Sequence, residues 1–235
     1  MTDDSNTSSS PGRGVAMWAF ASAVLLGVGM IGAFFVAPEQ EQGPIQDIFY
    51  LHVPIALVSL GAFLVACVAG ILYLRRRDER YDEVVTVSIG LGLLFVVLTI
   101  ISGSIWARGF WGTWWRWQDP RLVTYLIIAL LYGAFFVLRN SSEDDSRARF
   151  SAIFAIVAFA TVPLSFYAVR TAQSSIHPTA VDGNGVHIDG PILVWFLVWL
   201  VGVSVVFVTL LKLELLQRRT ERSLGTLRRL LEDPS

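Results

Sequence analysis

Charge is scarce in this chain and cysteine nearly absent. Of its 235 residues 16% are charged against 54% hydrophobic, and mean hydropathy is +0.59. A water-soluble domain of ordinary composition does not reach that balance, so lipid is the solvent for most of the chain. The net charge of -1 and isoelectric point near 6.3 leave no basic face to neutralise many phosphates, which excludes a nucleic-acid partner. The one cysteine, Cys67, sits in an apolar run between Leu64 and Ile71. A single thiol there builds neither a disulfide framework nor a C-x-x-C redox pair, and no C-x-x-C-H exists, so the chain is not itself a c-type cytochrome. Neither H-E-x-x-H nor a phosphate-binding G-x-x-x-x-G-K-[ST] is present, which removes zinc proteolysis and nucleotide hydrolysis. No Asp or Glu falls in the middle of an apolar run, which argues against a proton-coupled carrier. Nothing in the sequence reads as catalytic machinery, and the chain is read as a non-enzyme.

Long apolar runs are what the chain does have. A helix needs about 20 mostly apolar residues to cross roughly 30 Å of hydrocarbon. Six runs meet that length: Val15 to Ala37, Leu51 to Leu74, Val84 to Ile105, Leu122 to Leu138, Phe150 to Val169 and Ile192 to Leu211. The expected fold class is an all-α membrane protein with six transmembrane helices. The first run is longer than a signal-peptide core, and its leader carries Asp3 and Asp4 against Arg13, so it reads as a retained helix. Pro163 is expected to kink the fifth helix.

Orientation follows from the basic residues, which favour the cytoplasmic side. Fourteen fall on one face: Arg13, Arg75, Arg76, Arg77, Arg80, Arg139, Arg147, Arg149, Lys212, Arg218, Arg219, Arg222, Arg228 and Arg229. Four fall on the other: Arg108, Arg116, Arg121 and Arg170. Both termini are therefore expected in the cytoplasm, with loops 38–50, 106–121 and 170–191 outside. Three parts are expected: a disordered polar tail over 1–14, a six-helix domain over 15–213, and a cytoplasmic amphipathic tail over 214–235. In that tail Leu224, Leu227, Leu230 and Leu231 recur at helical spacing between arginines. Such a helix either rests on the membrane surface or docks a partner.

The second outer loop holds five of the eight tryptophans: Trp106, Trp111, Trp114, Trp115 and Trp117. As a short interfacial helix it would place Trp111, Trp114 and Trp115 on one face at i, i+3 and i+4, with Arg116 and Asp119 towards water. Tryptophan also favours the headgroup level for its own sake, but such a belt spreads over many helix ends, as Trp195 and Trp199 on the sixth run would. Five indoles in a dozen residues concentrate π-surface at one point. All three histidines fall on the same outer side. His52, in Phe49-Tyr50-Leu51-His52-Val53-Pro54, is expected at the mouth of the second helix, with Pro54 in its first turn. His177 precedes Pro178 in the third outer loop, ahead of an expected turn at Asp182 to Gly185, and His187 is its competitor.

Two imidazoles beside an aromatic shelf make a sensible site for haem b, non-covalent and transiently bound, with His52 and His177 as axial ligands. Arg108, Arg116, Arg121 and Arg170 are eligible partners for the propionates. The rival readings are a transmembrane redox cytochrome, a permease subunit whose tryptophans only pack, and a cytochrome c synthase component.

The run Trp111-Gly-Thr-Trp114-Trp115-Arg116-Trp117-Gln118-Asp119-Pro120-Arg121-Leu122 resembles the tryptophan-rich WWD signature of haem-handling membrane proteins. With Tyr50-Leu51-His52-Val53-Pro54 before it, one histidine after it and six helices, the chain resembles the cytochrome c maturation protein C (haem exporter protein C) family over nearly its whole length. Here Gln118 stands between Trp117 and Asp119, where the family pattern has Trp followed directly by Asp; in a helix one added residue turns the face by about 100°. The resemblance implies haem held at the outer leaflet of the bacterial inner membrane by Trp111, Trp114, Trp115, Trp117, Asp119 and the flanking arginines, with His52 and His177 as ligands. It further implies delivery to a periplasmic haem chaperone and association with an ABC-type ATPase and its permease subunits.

Overall fold

The computed structural model describes residues 11–37, 43–171, 181–182, 185–186 and 188–232. The chain runs through α1 (Pro11–Phe35), a single 3-10 turn (Gly43–Gln46), α2 (Asp47–Arg76), α3 (Glu79–Trp111), α4 (Pro120–Asn140), α5 (Asp144–Phe159) and α6 (Thr161–Thr171). Two-residue strands β1 (Val181–Asp182) and β2 (Gly185–Val186) then pair antiparallel, and α7 (Gly190–Glu232) closes the chain. Among the described residues, six helical segments are long and apolar enough to cross a membrane; α5 runs into α6 within one of them. The fold is all-helical in its spans, as expected.

The joints between helices are chemically explicit. Only Arg77 and Asp78 separate α2 from α3. Arg77 adopts a left-handed φ of 56° and its N–H bonds the Tyr73 carbonyl at 2.8 Å, while the Asp78 carboxylate accepts the Arg80 N–H at 2.9 Å as N-cap. So short a turn makes α2 and α3 an antiparallel pair. The α5/α6 joint is where Pro163 predicts trouble: proline has no N–H for the Phe159 carbonyl and its ring crowds that oxygen. The helix stops at Phe159 and resumes at Thr161, with the Ala160 N–H turning to the Val157 carbonyl at 3.2 Å.

The structure alters several expectations. Residues 1–10 of the polar tail lie outside the described residues, but 11–14 form the start of α1, with Pro11 at the first helical position where its missing N–H costs nothing. Pro54 is not in the first turn of α2: the 3-10 turn leads into a helix that already begins at Asp47, and Pro54 lies buried in its interior. The amphipathic tail is not a separate element, because α7 runs unbroken for 43 residues. The tryptophan segment forms no helix beyond Trp111. Gly112, at φ 73°, ends α3, and Asp119 with Pro120 opens α4, leaving 112–119 as bends and a turn.

The α2/α3 pair is the centre of the bundle, with a buried cluster on each side. On one side Phe63 of α2 stacks on Tyr132 of α4 at 3.6 Å between ring centres, surrounded by Ile89, Ile128, Phe135 and Ala155. Gly92 makes room for Phe63, since a β-carbon there would lie 2.6 Å from its ring. On the other side Tyr50, Phe95, Phe196, Trp199 and Phe207 join α2 and α3 to α7. Helix α1 packs mainly on α7. The outer surface is apolar: Phe20, Leu130, Val137 and Val157 are all exposed, as side chains facing hydrocarbon would be.

Trp195 and Trp199 pack inward against α1. The Trp195 ring occupies the place where a β-carbon on Gly32 would stand, and Trp199 lies 3.1 Å from the corresponding point on Gly29. One turn of α7 thus drives two indoles into two glycine notches of α1, the close approach that small residues permit between membrane helices.

Candidate functional site

The start of α2, the end of α3 and the start of α4 meet at one end of the bundle, and His52 sits among them. Its Nδ1 lies 3.0 Å from Ser102 Oγ of α3. Ser102 Oγ itself donates backwards within α3, to the Leu98 carbonyl at 2.8 Å and the Thr99 carbonyl at 3.2 Å. The next residue, Gly103, leaves space for the ring: a β-carbon there would stand 2.8 Å from His52 Cε1. Arg121, in the first turn of α4, is close enough to act electrostatically on the imidazole. The site therefore draws on α2 for the imidazole, α3 for its support and α4 for positive charge. Composition could not reveal Ser102 and Gly103. A Ser-Gly pair in an apolar span usually marks ordinary helix packing, and only the pairing of α2 with α3 brings these two to His52.

Beyond Gly103 come the aromatic rings. Trp106 is buried, stacks on Phe110 at 5.0 Å and meets Trp111 edge to face at 4.9 Å. The Arg116 guanidinium lies over the Trp111 ring at 5.9 Å, a cation–π contact. Trp115 and Trp117 form a second edge-to-face pair at 5.7 Å, with the Trp115 Nε1 buried and without a hydrogen-bond partner. Trp114 and Trp117 are exposed, at 58% and 69%. The expected shelf of Trp111, Trp114 and Trp115 on one helical face does not form, because Gly112 breaks the helix between the first indole and the other two. Two ring pairs and a free-standing Trp114 take its place.

Among the polar candidates, Asp119 is 1% exposed and caps α4, its Oδ1 accepting the N–H of Arg121 at 2.9 Å and of Leu122 at 3.4 Å. The 100° rotation expected from Gln118 does not arise, since this stretch is not helical and Asp119 is fixed by its cap. Arg108 donates to the Gly112 carbonyl and so closes the C-terminus of α3. Arg116, Arg108 and Gln118 are exposed to solvent. His177 and His187 lie outside the described residues, and so does the side chain of Arg170. Asp182 and Gly185 are partners in the antiparallel β1/β2 pair, and Gly183 and Asn184 of the expected turn lie outside the described residues.

Among the described residues no three His, Cys, Asp or Glu side chains gather as metal ligands. A bare ion would need such a cluster, whereas a porphyrin brings four nitrogens to its iron and asks the protein for one or two axial imidazoles. A single well-supported histidine beside exposed indoles and arginines fits the second case.

The chain is similar to known proteins over most of its length. The family model for CcmC, heme exporter protein C, matches residues 3–229. Heme exporter protein C of Bradyrhizobium diazoefficiens is 31% identical over 207 residues, covering 86% of this chain and 78% of that protein. The Rhodobacter capsulatus protein of the same name is 29% identical over 213 residues, 87% of this chain and 85% of the relative. That of Paracoccus denitrificans is 32% identical over 165 residues, 69% and 68% of the two chains. With six spans and a match running through all of them, the chain is a multi-pass bacterial inner-membrane protein that belongs to the heme exporter protein C family.

Proposed function

We propose that this chain binds haem at the bundle end marked by His52 and presents it to a periplasmic haem chaperone during c-type cytochrome assembly, working beside an ABC-type ATPase and its permease. The family carries the coarse role, haem export for cytochrome c biogenesis. The finer reading rests above all on one observation, the imidazole of His52 seated on Gly103 and bonded to Ser102 next to the tryptophan loop.

In this reading His52 supplies one axial ligand and His177 the other, holding haem b without a covalent bond. Trp114, exposed on the loop, offers a ring face, and the pairs Trp106 with Trp111 and Trp115 with Trp117 wall the porphyrin. Arg121 and Arg116 orient the propionates through paired hydrogen bonds. The orientation follows from the sequence: fourteen basic residues on the opposite side against four here put this end in the periplasm. A protein that passes on its cargo keeps one edge of it reachable, and a site on a loop with exposed indoles does so. The chain has no nucleotide motif, so energy for release comes from the partner ATPase.

The test is the visible spectrum of the purified protein. His52→Ala and His177→Ala are each expected to lower haem content and alter the low-spin bands of a bis-imidazole iron. Full haem content in both variants would overturn the assignment.

A further inference from the structure

This inference rests on the reading of His52 as an iron ligand and concerns how the ring is readied for that role. Ser102 has one hydroxyl proton, and two carbonyls of the preceding turn already face it, Leu98 at 2.8 Å and Thr99 at 3.2 Å. This is the back-bond that serines make inside helices. The same oxygen lies 3.0 Å from His52 Nδ1. Were Nδ1 the bare nitrogen, the Ser102 proton would have to leave both carbonyls of its own helix, giving up the back-bond, to reach the ring. With the proton on Nδ1, His52 donates to a lone pair of Ser102 Oγ, and the serine proton stays on its own helix. The ring N–H and the hydroxyl proton then each have an acceptor.

We infer that Ser102, by its juxtaposition with His52 across the α2/α3 interface, is a positioning residue that holds the imidazole in the Nδ1–H tautomer and so keeps the Nε2 lone pair ready for iron. Gly103 completes the seat, because only a residue without a β-carbon lets the ring lie where Ser102 can reach it. Histidines that ligate metals commonly donate their other N–H to a neighbouring oxygen. That partner fixes tautomer and ring orientation, and its loss typically lowers affinity by about 10–100-fold. Here the partners are a hydroxyl and the Thr99 backbone carbonyl rather than a carboxylate. The ligand therefore gains orientation without the added basicity of a negative neighbour, which suits a site that must release its cargo.

The inference can be tested without haem. Full-length protein in lipid bilayers, carrying His177→Ala and His187→Ala so that His52 is the only histidine, is labelled with 15N at histidine and studied by solid-state NMR. The ring nitrogens are expected to show a proton on Nδ1 and none on Nε2. Adding Ser102→Ala is expected to move the ring to the Nε2–H form or a mixture, and Ser102→Thr to restore the Nδ1–H form. In otherwise unaltered protein, Ser102→Ala is expected to weaken haem binding about 10–100-fold and Ser102→Thr to recover it. A bare Nδ1 before any change at Ser102, or a tautomer unmoved by Ser102→Ala, would overturn the inference. Failure of the ligand reading looks different: His52→Ala would then keep full haem content while the NMR result stood.

Discussion

Asp82 and Arg139 face each other through two parallel hydrogen bonds, Nη1 to Oδ1 at 2.8 Å and Nη2 to Oδ2 at 2.7 Å. The first lies in the opening turn of α3 and the second in the closing turn of α4, and both side chains are largely buried, at 10% and 14% exposure. Arg139 also donates to Ser151 of α5, so three helices are tied at the end of the bundle opposite His52.

Breaking that pair from one side strands a buried charge. Asp82→Asn or Arg139→Gln is expected to cost about 3–5 kcal/mol, whereas Asp82→Leu combined with Arg139→Met restores most of the loss. Thermal unfolding in detergent micelles reads this directly. Single variants that melt with the parent protein would show the pair to be incidental.

Gly32 and Trp195 predict a coupled effect between α1 and α7. Gly32→Val forces the indole out of its notch and is expected to cost about 1–3 kcal/mol. Trp195→Ala empties the notch and costs about 3–5 kcal/mol. The double variant is expected to lose less than the sum, since the new side chain enters the vacated space. A double-mutant cycle on chemical denaturation measures the coupling, and strict additivity would contradict the packing.

Asp119 separates a capping role from a direct contact with haem. Asp119→Ala removes the N-cap of α4 and is expected to cost about 1 kcal/mol. Asp119→Asn keeps an oxygen for the Arg121 and Leu122 N–H groups and is expected to preserve both stability and haem content. Melting and haem absorbance, measured on the same samples, decide it. Loss of haem in the asparagine variant with unchanged melting would point to the negative charge itself.

The six spans were legible because apolar length is a sum over neighbouring residues and needs no partner. The break near Pro163 was legible for the same reason, as a clash within one turn. What failed was local structure read by analogy to a helix: the tryptophan segment carries its own stop at Gly112 and its own start at Asp119-Pro120, signals that outweigh the i, i+3, i+4 spacing of the indoles. The packing of Trp195 and Trp199 was not legible, because their notches, Gly32 and Gly29, belong to a helix at the far end of the sequence. His52 was legible as a lone histidine at the end of an apolar run. Its support was not, since Ser102 and Gly103 become part of the site only through the α2/α3 pairing.

Helix α7 is gripped twice along one unbroken rod. Trp195 is wedged against α1 near the His52 end, and Arg222 pairs with the buried Glu83 of α3 at the other. The 27 residue steps from one to the other span about 40 Å. Held at both points, the rod cannot swing its far segment without prising an indole from a glycine or parting an ion pair, so anything that leans on its protruding tip is felt by the whole bundle.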